Sequence, residues 1–183
     1  MKEFTIRPYD PSRWETRMGI KGIASAIWGK EDFRHGVFIF EASETVTHNI
    51  LVAYIDNQEV GYSISHYRDT EKDWPLHALN PDGVASLKID EIAVLPDYRF
   101  LGIGEALGRD LITRSRVNQC AIVQGTTHDI AQRLFYQKLG FTRVVDGSEY
   151  KAEQGGEVAF WELLLPASSA LYREMSLVNE SQS

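Results

Sequence analysis

The 183-residue chain is 43% hydrophobic and carries 19 basic against 26 acidic residues, a net charge of -7. That content is enough for one core-bearing domain, and an acidic balance without a basic stripe argues against nucleic acid as a partner while suiting a cationic or amine-bearing acceptor. No apolar run reaches the roughly 18 residues of a membrane span, Met1 to Thr5 lacks the apolar centre of a signal peptide, and one cysteine, Cys120, excludes a disulfide framework, so a soluble, cytoplasmic protein is expected.

The first strand is predicted over Phe4 to Arg7, and Asp10-Pro11 reads as an N-cap with proline at the first helical position. Trp14, Met18, Ile23 and Ile27 then mark an amphipathic helix, which Gly29 interrupts, and Phe33, Val37 and Phe40 mark a second. Ile50 to Ile55 and Val60 to Tyr67 are β-like and joined through Asp56-Asn57, a hairpin turn. A long irregular connection from Arg68 to Ser86 precedes a strand over Leu87 to Leu95. A helix from Gly102 to Arg116, a strand from Cys120 to Gln124 and a helix from Asp129 to Leu139 follow, the last closed by Gly140 as a C-cap. Phe141 to Val145 and Val158 to Leu165 complete the strands, and there is no internal repeat. Cys120, opening its strand, is expected as a small buried hydrophobe.

The most informative stretch is Val94-Leu95-Pro96-Asp97-Tyr98-Arg99-Phe100-Leu101-Gly102-Ile103-Gly104, where a strand passes directly into a helix. The first N–H groups of such a helix have no intrahelical acceptors and lie at the positive end of its dipole, which suits a phosphate. Glycines at 102 and 104 keep a Cβ away from a bound group, and Arg99 adds a charge-assisted contact. A P-loop is excluded because Gly104 is followed by Glu105-Ala106, and a dinucleotide fingerprint because Leu107 stands where a third glycine is needed.

This stretch resembles the central motif of the GNAT superfamily of N-acetyltransferases, V-x-P-x-x-R/Q-x-x-G-x-G/A, filled here by Val94, Pro96, Arg99, Gly102 and Gly104. Phe135-Tyr136-Gln137-Lys138-Leu139-Gly140-Phe141 is similar to the family's second segment, FYxKxGF. The resemblance implies an α/β (α+β) fold. It is a single GNAT-like domain over residues 1–166, with a mixed, mostly antiparallel sheet of about seven strands and helices on both faces. Residues 167–183 would form a partly disordered or docking tail. The resemblance also implies acetyl-CoA as co-substrate and direct attack by a primary amine of a small molecule or peptide within a ternary complex. The acceptor alternatives are a protein or an aminoacyl-tRNA. A non-catalytic acyl-CoA-binding sensor or assembly module is the alternative from another class, and a homodimer is compatible with the family.

By the same resemblance, the pyrophosphate of coenzyme A belongs on Arg99, Phe100, Leu101, Gly102, Ile103 and Gly104. Its pantetheine arm belongs along the backbone of Ile92, Ala93 and Val94. Tyr136 is the implied proton donor to the leaving thiolate, a role a phenol protonated at neutral pH can fill. Its other reading is a core aromatic beside Phe135. Asp90 and Glu91 are the candidate bases. Alternation sends them to opposite faces, and the face family members use for a base, shared here by Lys88, Asp90 and Ile92, favours Asp90, while a bulge would exchange the two. The family's asparagine before the tyrosine is replaced by Asp129, which either contacts the cofactor as an acceptor or caps the helix that follows. Gln124 stands where some relatives carry a glutamate base. Trp28, Trp74 and His77 are candidates for lining an acceptor pocket. The histidines at 35, 48, 66, 77 and 128 have no metal-ligand spacing, so no metal site is expected.

Overall fold

The computed structural model describes residues 3–29, 48–68, 85–127, 130–145 and 159–165. The elements are β1 (Thr5–Pro8), α1 (Trp14–Trp28), β2 (His48–Ile55), β3 (Gln58–Arg68), β4 (Ser86–Val94), a short 3-10 turn (Pro96–Tyr98), α2 (Ile103–Val117), β5 (Ile122–Thr127), α3 (Ile130–Lys138), β6 (Arg143–Val145) and β7 (Ala159–Leu164). Among the described residues the strands are hydrogen-bonded neighbours in the orders β1-β2-β3-β4 and β5-β7-β6. The predicted helix at Phe33 to Phe40, most of the connection from Arg68 to Ser86, Asp129 and the tail after Pro166 lie outside the described residues.

Two compact units are distinguished, Met1–His66 with Ile89–Leu111, and Tyr67–Lys88 with Ile112–Ser183. In the first, β1 and β3 both pair antiparallel with β2. The hairpin turn is as expected, with Asp56 and Asn57 at φ 51 and 63, the left-handed values a two-residue type I′ connection needs. The β2–β3 register is regular from His48↔His66 to Ala53↔Gly61, then slips to Tyr54↔Glu59, which leaves Val60 as the extra residue of a bulge.

Helix α1 starts at Trp14, three residues after the predicted start. Asp10 does not cap it: its Oδ1 accepts from the Ser12 backbone N (2.9 Å) and from Ser12 Oγ (2.7 Å), closing a local turn before the helix. Those bonds hold the exposed Asp10 carboxyl below its ordinary range. The buried stripe of α1 also differs from the expected one. Ile20, Ile23 and Ala24 pack on Val52, Tyr54, Tyr62, Ile64 and Ala93, with Thr16 buried as well, whereas Trp14 and Met18 are exposed. Positions 16, 20, 23 and 27 follow helical spacing as well as 14 and 18 do, and packing selected the first set. Gly29 ends the helix at φ 84, its N–H donating to Ser25 O.

The N-terminal part of α2 shows its apolar stripe plainly: Ile103, Leu107 and Leu111 are each buried. In the second unit, β7 pairs antiparallel with β5 from Ile122↔Leu164 to Thr127↔Ala159 and with β6 from Arg143↔Glu162 to Val145↔Phe160. Strand β5 begins two residues later than predicted, because Gln119 takes φ 56 and Cys120 N–H turns back to Ser115 O to close the end of α2. Cys120 is buried, and that burial pushes its thiol pKa up, as a small core hydrophobe requires. Among the described residues no helix is long and apolar enough to cross a membrane, and no group of three metal-ligating side chains occurs.

Candidate active site

The strand-to-helix junction lies wholly in the first unit. Leu95 N–H donates to Val60 O (2.9 Å), which ties the exit of β4 to the β3 bulge. The chain then turns through Pro96–Tyr98, with Tyr98 N–H on Leu95 O and Arg99 N–H on Pro96 O. Phe100 follows at φ 63 with its ring fully exposed, and Gly102 at φ 86. A non-glycine residue in that region costs of order 1 kcal/mol or more, so the turn is held by its surroundings.

The ladder of α2 opens with Ala106 N–H on Gly102 O (2.9 Å), so the N–H groups of Ile103 and Gly104 precede it. Gly102 stands in the left-handed region at φ 86. A Cβ there would meet no protein atom within 4 Å, so within the protein itself it is the positive φ that favours glycine. Arg99 Nε donates to Val94 O at 3.2 Å, so the guanidinium braces the carbonyl at the end of β4.

Gly61, which sequence reasoning did not single out, supports this junction from below. A Cβ at Gly61 would stand 2.9 Å from Ala93 O and 3.2 Å from Val94 Cγ2, with Ile103 Cγ2 at 3.5 Å. Only glycine at this β3 position lets the end of β4 and the start of α2 come so close.

Next along β4, Asp90 and Glu91 have separate partners on β3. His66 Nδ1 lies 2.5 Å from Asp90 Oδ2, and the Tyr62 hydroxyl donates to Glu91 Oε1 at 2.5 Å. Beyond Gly61, β3 runs in regular register, so Tyr62, Ile64 and His66 share one of its faces. Adjacent residues of an ideal strand could not both meet that face. With Asp90 on His66 and Glu91 on Tyr62, β4 departs from alternation at Asp90–Glu91, as a bulge makes it do.

Glu91 is also reached from α1, with Trp28 Nε1 donating to the same Oε1 at 2.8 Å. Both donors are neutral, and among the described residues no cation pairs with Glu91. Burial first, then the charge of Glu91 and the hydrogen bond to it, push the Tyr62 phenol far above its ordinary 10.0, which keeps it a donor. Trp28, expected as an acceptor-lining residue, thus has a definite polar contact. Tyr62 falls within the predicted strand Val60 to Tyr67, where nothing local marks the Glu91 contact.

Tyr136 belongs to the second unit and is buried on α3. Its ring meets Phe135 and Phe141 edge-on, at centroid distances of 5.7 and 4.8 Å. It also covers Gly125 of β5: a Cβ there would fall 2.5 Å from Tyr136 Cε1 and Oη, with Cζ nearer still. The turn after the helix holds the ring from the other side, through Phe141 N–H on Tyr136 O and Gly140 at the predicted C-cap with φ 97. Gln124, next to Gly125, is buried. A glycine inside a strand is the signal that would have found Gly125, since it marks close approach of another group.

A family model described as an acetyltransferase (GNAT) domain matches residues 47–143, more than half of the chain. No curated protein matches. Among solved structures, the NatC complex bound to Gag peptide and CoA is similar at 19% identity, covering 89% of this chain and 99% of that one with a TM-score of 0.67. Arabidopsis thaliana NAA60 in complex with acetyl-CoA is similar at 16% identity over 89% and 99% of the two chains, TM-score 0.66. The ribosomal-protein-S18-alanine N-acetyltransferase from Escherichia coli follows at 17% identity over 88% and 94%, TM-score 0.62. Identities this low speak for the fold, whereas the model match spans the junction, both carboxylates and Tyr136. With the motif filled at every fixed position and its glycine held at positive φ, the chain belongs to the GNAT acetyltransferase family.

Proposed function

We propose that the protein is an acetyl-CoA-dependent N-acetyltransferase that transfers the acetyl group to a primary amine of a small molecule or peptide by direct attack in a ternary complex. The observation that carries this reading is the β4–α2 junction. A left-handed Gly102 and the leading N–H groups of α2 stand beside Arg99, on the sequence motif shared with the family. Such groups fit a pyrophosphate through oriented N–H dipoles and a nearby guanidinium. The residues taken to bind it are Arg99 to Gly104, and the main chain of Ile92, Ala93 and Val94 is taken to bind the pantetheine amides. The thioester supplies the activated acyl group.

The remaining steps fall to side chains. An amine attacks only when neutral, and one acceptor-side carboxylate, Asp90 or Glu91, takes its proton directly or through a water. Tyr136 is the proposed acid for the leaving thiolate. Its place in FYxKxGF and a phenol seated over Gly125 between two aromatic edges support that role. Of the fold neighbours, one is bound to a Gag peptide and CoA and one is a ribosomal-protein-S18-alanine N-acetyltransferase, which favours a peptide or protein amine within the proposed class.

Replacing Tyr136 by Phe tests the catalytic assignment. Turnover with acetyl-CoA should fall by about an order of magnitude or more with acetyl-CoA binding nearly unchanged. Equal activity in that variant removes Tyr136 as the acid. An acyl-CoA-binding module without catalysis would bind acetyl-CoA and turn over no amine in either form.

A further inference from the structure

Asp90 and Glu91 share a face but differ in company, and the difference assigns them different work. Asp90 is exposed at the strand surface and its partner is the imidazole of His66, at 2.5 Å. Glu91 is half-buried and receives two hydrogen bonds on one oxygen, from a fully buried phenol and from an indole N–H at the end of α1. Those donors come from separate elements, β3 and α1, and converge on Oε1. Together they fix the rotamer of a side chain that otherwise has three torsions to lose.

Neutral donors orient a carboxylate without cancelling its charge. Among the described residues no hydrogen bond reaches Oε2 of Glu91. A buried Tyr62 hydroxyl needs some acceptor, and a carbonyl or a serine would serve at lower desolvation cost than a carboxylate. A half-buried carboxylate held by two neutral donors is an arrangement that a cation completes. Trp28 adds to this: about 44% of its surface is exposed beside the carboxylate to which its indole N–H donates. An ammonium ion is attracted to both.

We propose that Tyr62 and Trp28 are positioning residues that lock Glu91, and that Glu91 so held binds the acceptor as a cationic amine. This rests on the N-acetyltransferase reading and deepens it by naming the acceptor's charge state on arrival. The cationic nitrogen is either the reacting ammonium, which then gives its proton to Asp90 directly or through a water, or a second positive group on the same acceptor. The net charge of -7 favours the approach of either.

The test is steady-state kinetics with acetyl-CoA and three probes, n-butylamine, 1,4-diaminobutane and the tripeptide Ala-Gly-Gly, using the full chain and the variants Tyr62→Phe, Trp28→Phe and Glu91→Gln. For the best probe, Tyr62→Phe and Trp28→Phe should each raise the acceptor KM roughly tenfold, the scale of a hydrogen bond to a charged group. Both should leave the acetyl-CoA KM unchanged and kcat within about threefold. Glu91→Gln should raise the acceptor KM at least as far, and adding Tyr62→Phe to it should cost nothing more, since the phenol acts only through Glu91. If the second cation is the one held, Glu91→Gln abolishes the advantage of 1,4-diaminobutane over n-butylamine. If the reacting ammonium is held, all probes weaken alike. A collapse of kcat at constant KM in Glu91→Gln would overturn the proposal and make Glu91 the base. An unchanged acceptor KM in Tyr62→Phe would overturn it too, as would equal losses in the presence and absence of Glu91. Should Tyr62→Phe not fold, Trp28→Phe at the protein surface carries the same comparison. No turnover of any amine by the parent protein would count against the enzymatic reading itself, a distinct failure.

Discussion

Replacing Gly125 by Ala puts one methyl group where the Tyr136 ring lies. The new Cβ would fall 2.5 Å from Cε1 and Oη, and real Cβ atoms essentially never stand closer than 3.0 Å to a neighbour. Ordinary contact begins at 3.4 Å, so the ring must retreat by about 1 Å. Phe135 and Phe141 flank it at 5.7 and 4.8 Å, which limits the retreat, and the backbone of β5 is held in its ladder with β7. Overpacking of this kind costs about 1–3 kcal/mol, offset in part by up to about 1 kcal/mol from removing a strand glycine. The net loss, up to about 3 kcal/mol, corresponds to a fall in Tm of up to roughly 12 °C for a protein of this size. A catalytic effect should accompany the stability effect. Misplacing a proton donor by about 1 Å can cost as much as removing it, so kcat should fall by about an order of magnitude, as in Tyr136→Phe. Acetyl-CoA titrations, thermal unfolding and kcat for Gly125→Ala separate the two, and Gly125→Ala with Tyr136→Phe should be no slower than Tyr136→Phe alone. Parental Tm and kcat in Gly125→Ala would refute both the steric reasoning and the role given to the phenol.

Three further outcomes follow from the same geometry. Gly102→Val, strained at φ 86, should lose most of the thermal stabilisation that acetyl-CoA gives the parent, and full retention would remove the junction as the pyrophosphate site. Gly61→Ala meets a backbone carbonyl at 2.9 Å, which cannot swing away as a side chain would. It should lower stability by about 1–3 kcal/mol in urea unfolding, and a neutral result would show that β4 shifts freely. For pH, the Tyr62 phenol is raised in the folded protein, so above its ordinary 10.0 the unfolded chain gives up this proton first. Stability should therefore be intact below pH 10 and fall as pH rises beyond it, less steeply in Tyr62→Phe than in the parent. Identical alkaline slopes would contradict the raised phenol.

What the sequence disclosed was local. Asp56-Asn57 and Gly140 announce left-handed backbone by residue type, and the structure has φ of 51, 63 and 97 there. The glycine and arginine pattern from Val94 to Gly104 works the same way, because the turn, the cap and the helix start are all contained in it. Features set by distant partners were not legible. Nothing within β4 reveals that Asp90 and Glu91 share a face, since the departure from alternation shows only through His66 and Tyr62, 24 and 29 residues earlier. Gly125 and Tyr136 are each recognisable types, yet that one makes room for the other depends on how α3 lies over β5. The start of α1 was misjudged because Asp10-Pro11 also suits a turn that satisfies Asp10 with Ser12, and local preference cannot rank the two.

The central claim is that this chain moves an acetyl group from coenzyme A to an amine. Incubating the protein with acetyl-CoA and a broad panel of amines and peptides, while measuring CoA release and acetylated product by mass, tests it directly. The account predicts one acetylated amine formed for each CoA released, with both dependent on Tyr136. Acetyl-CoA binding with no acetylated product from any amine, peptide or protein terminus would contradict it.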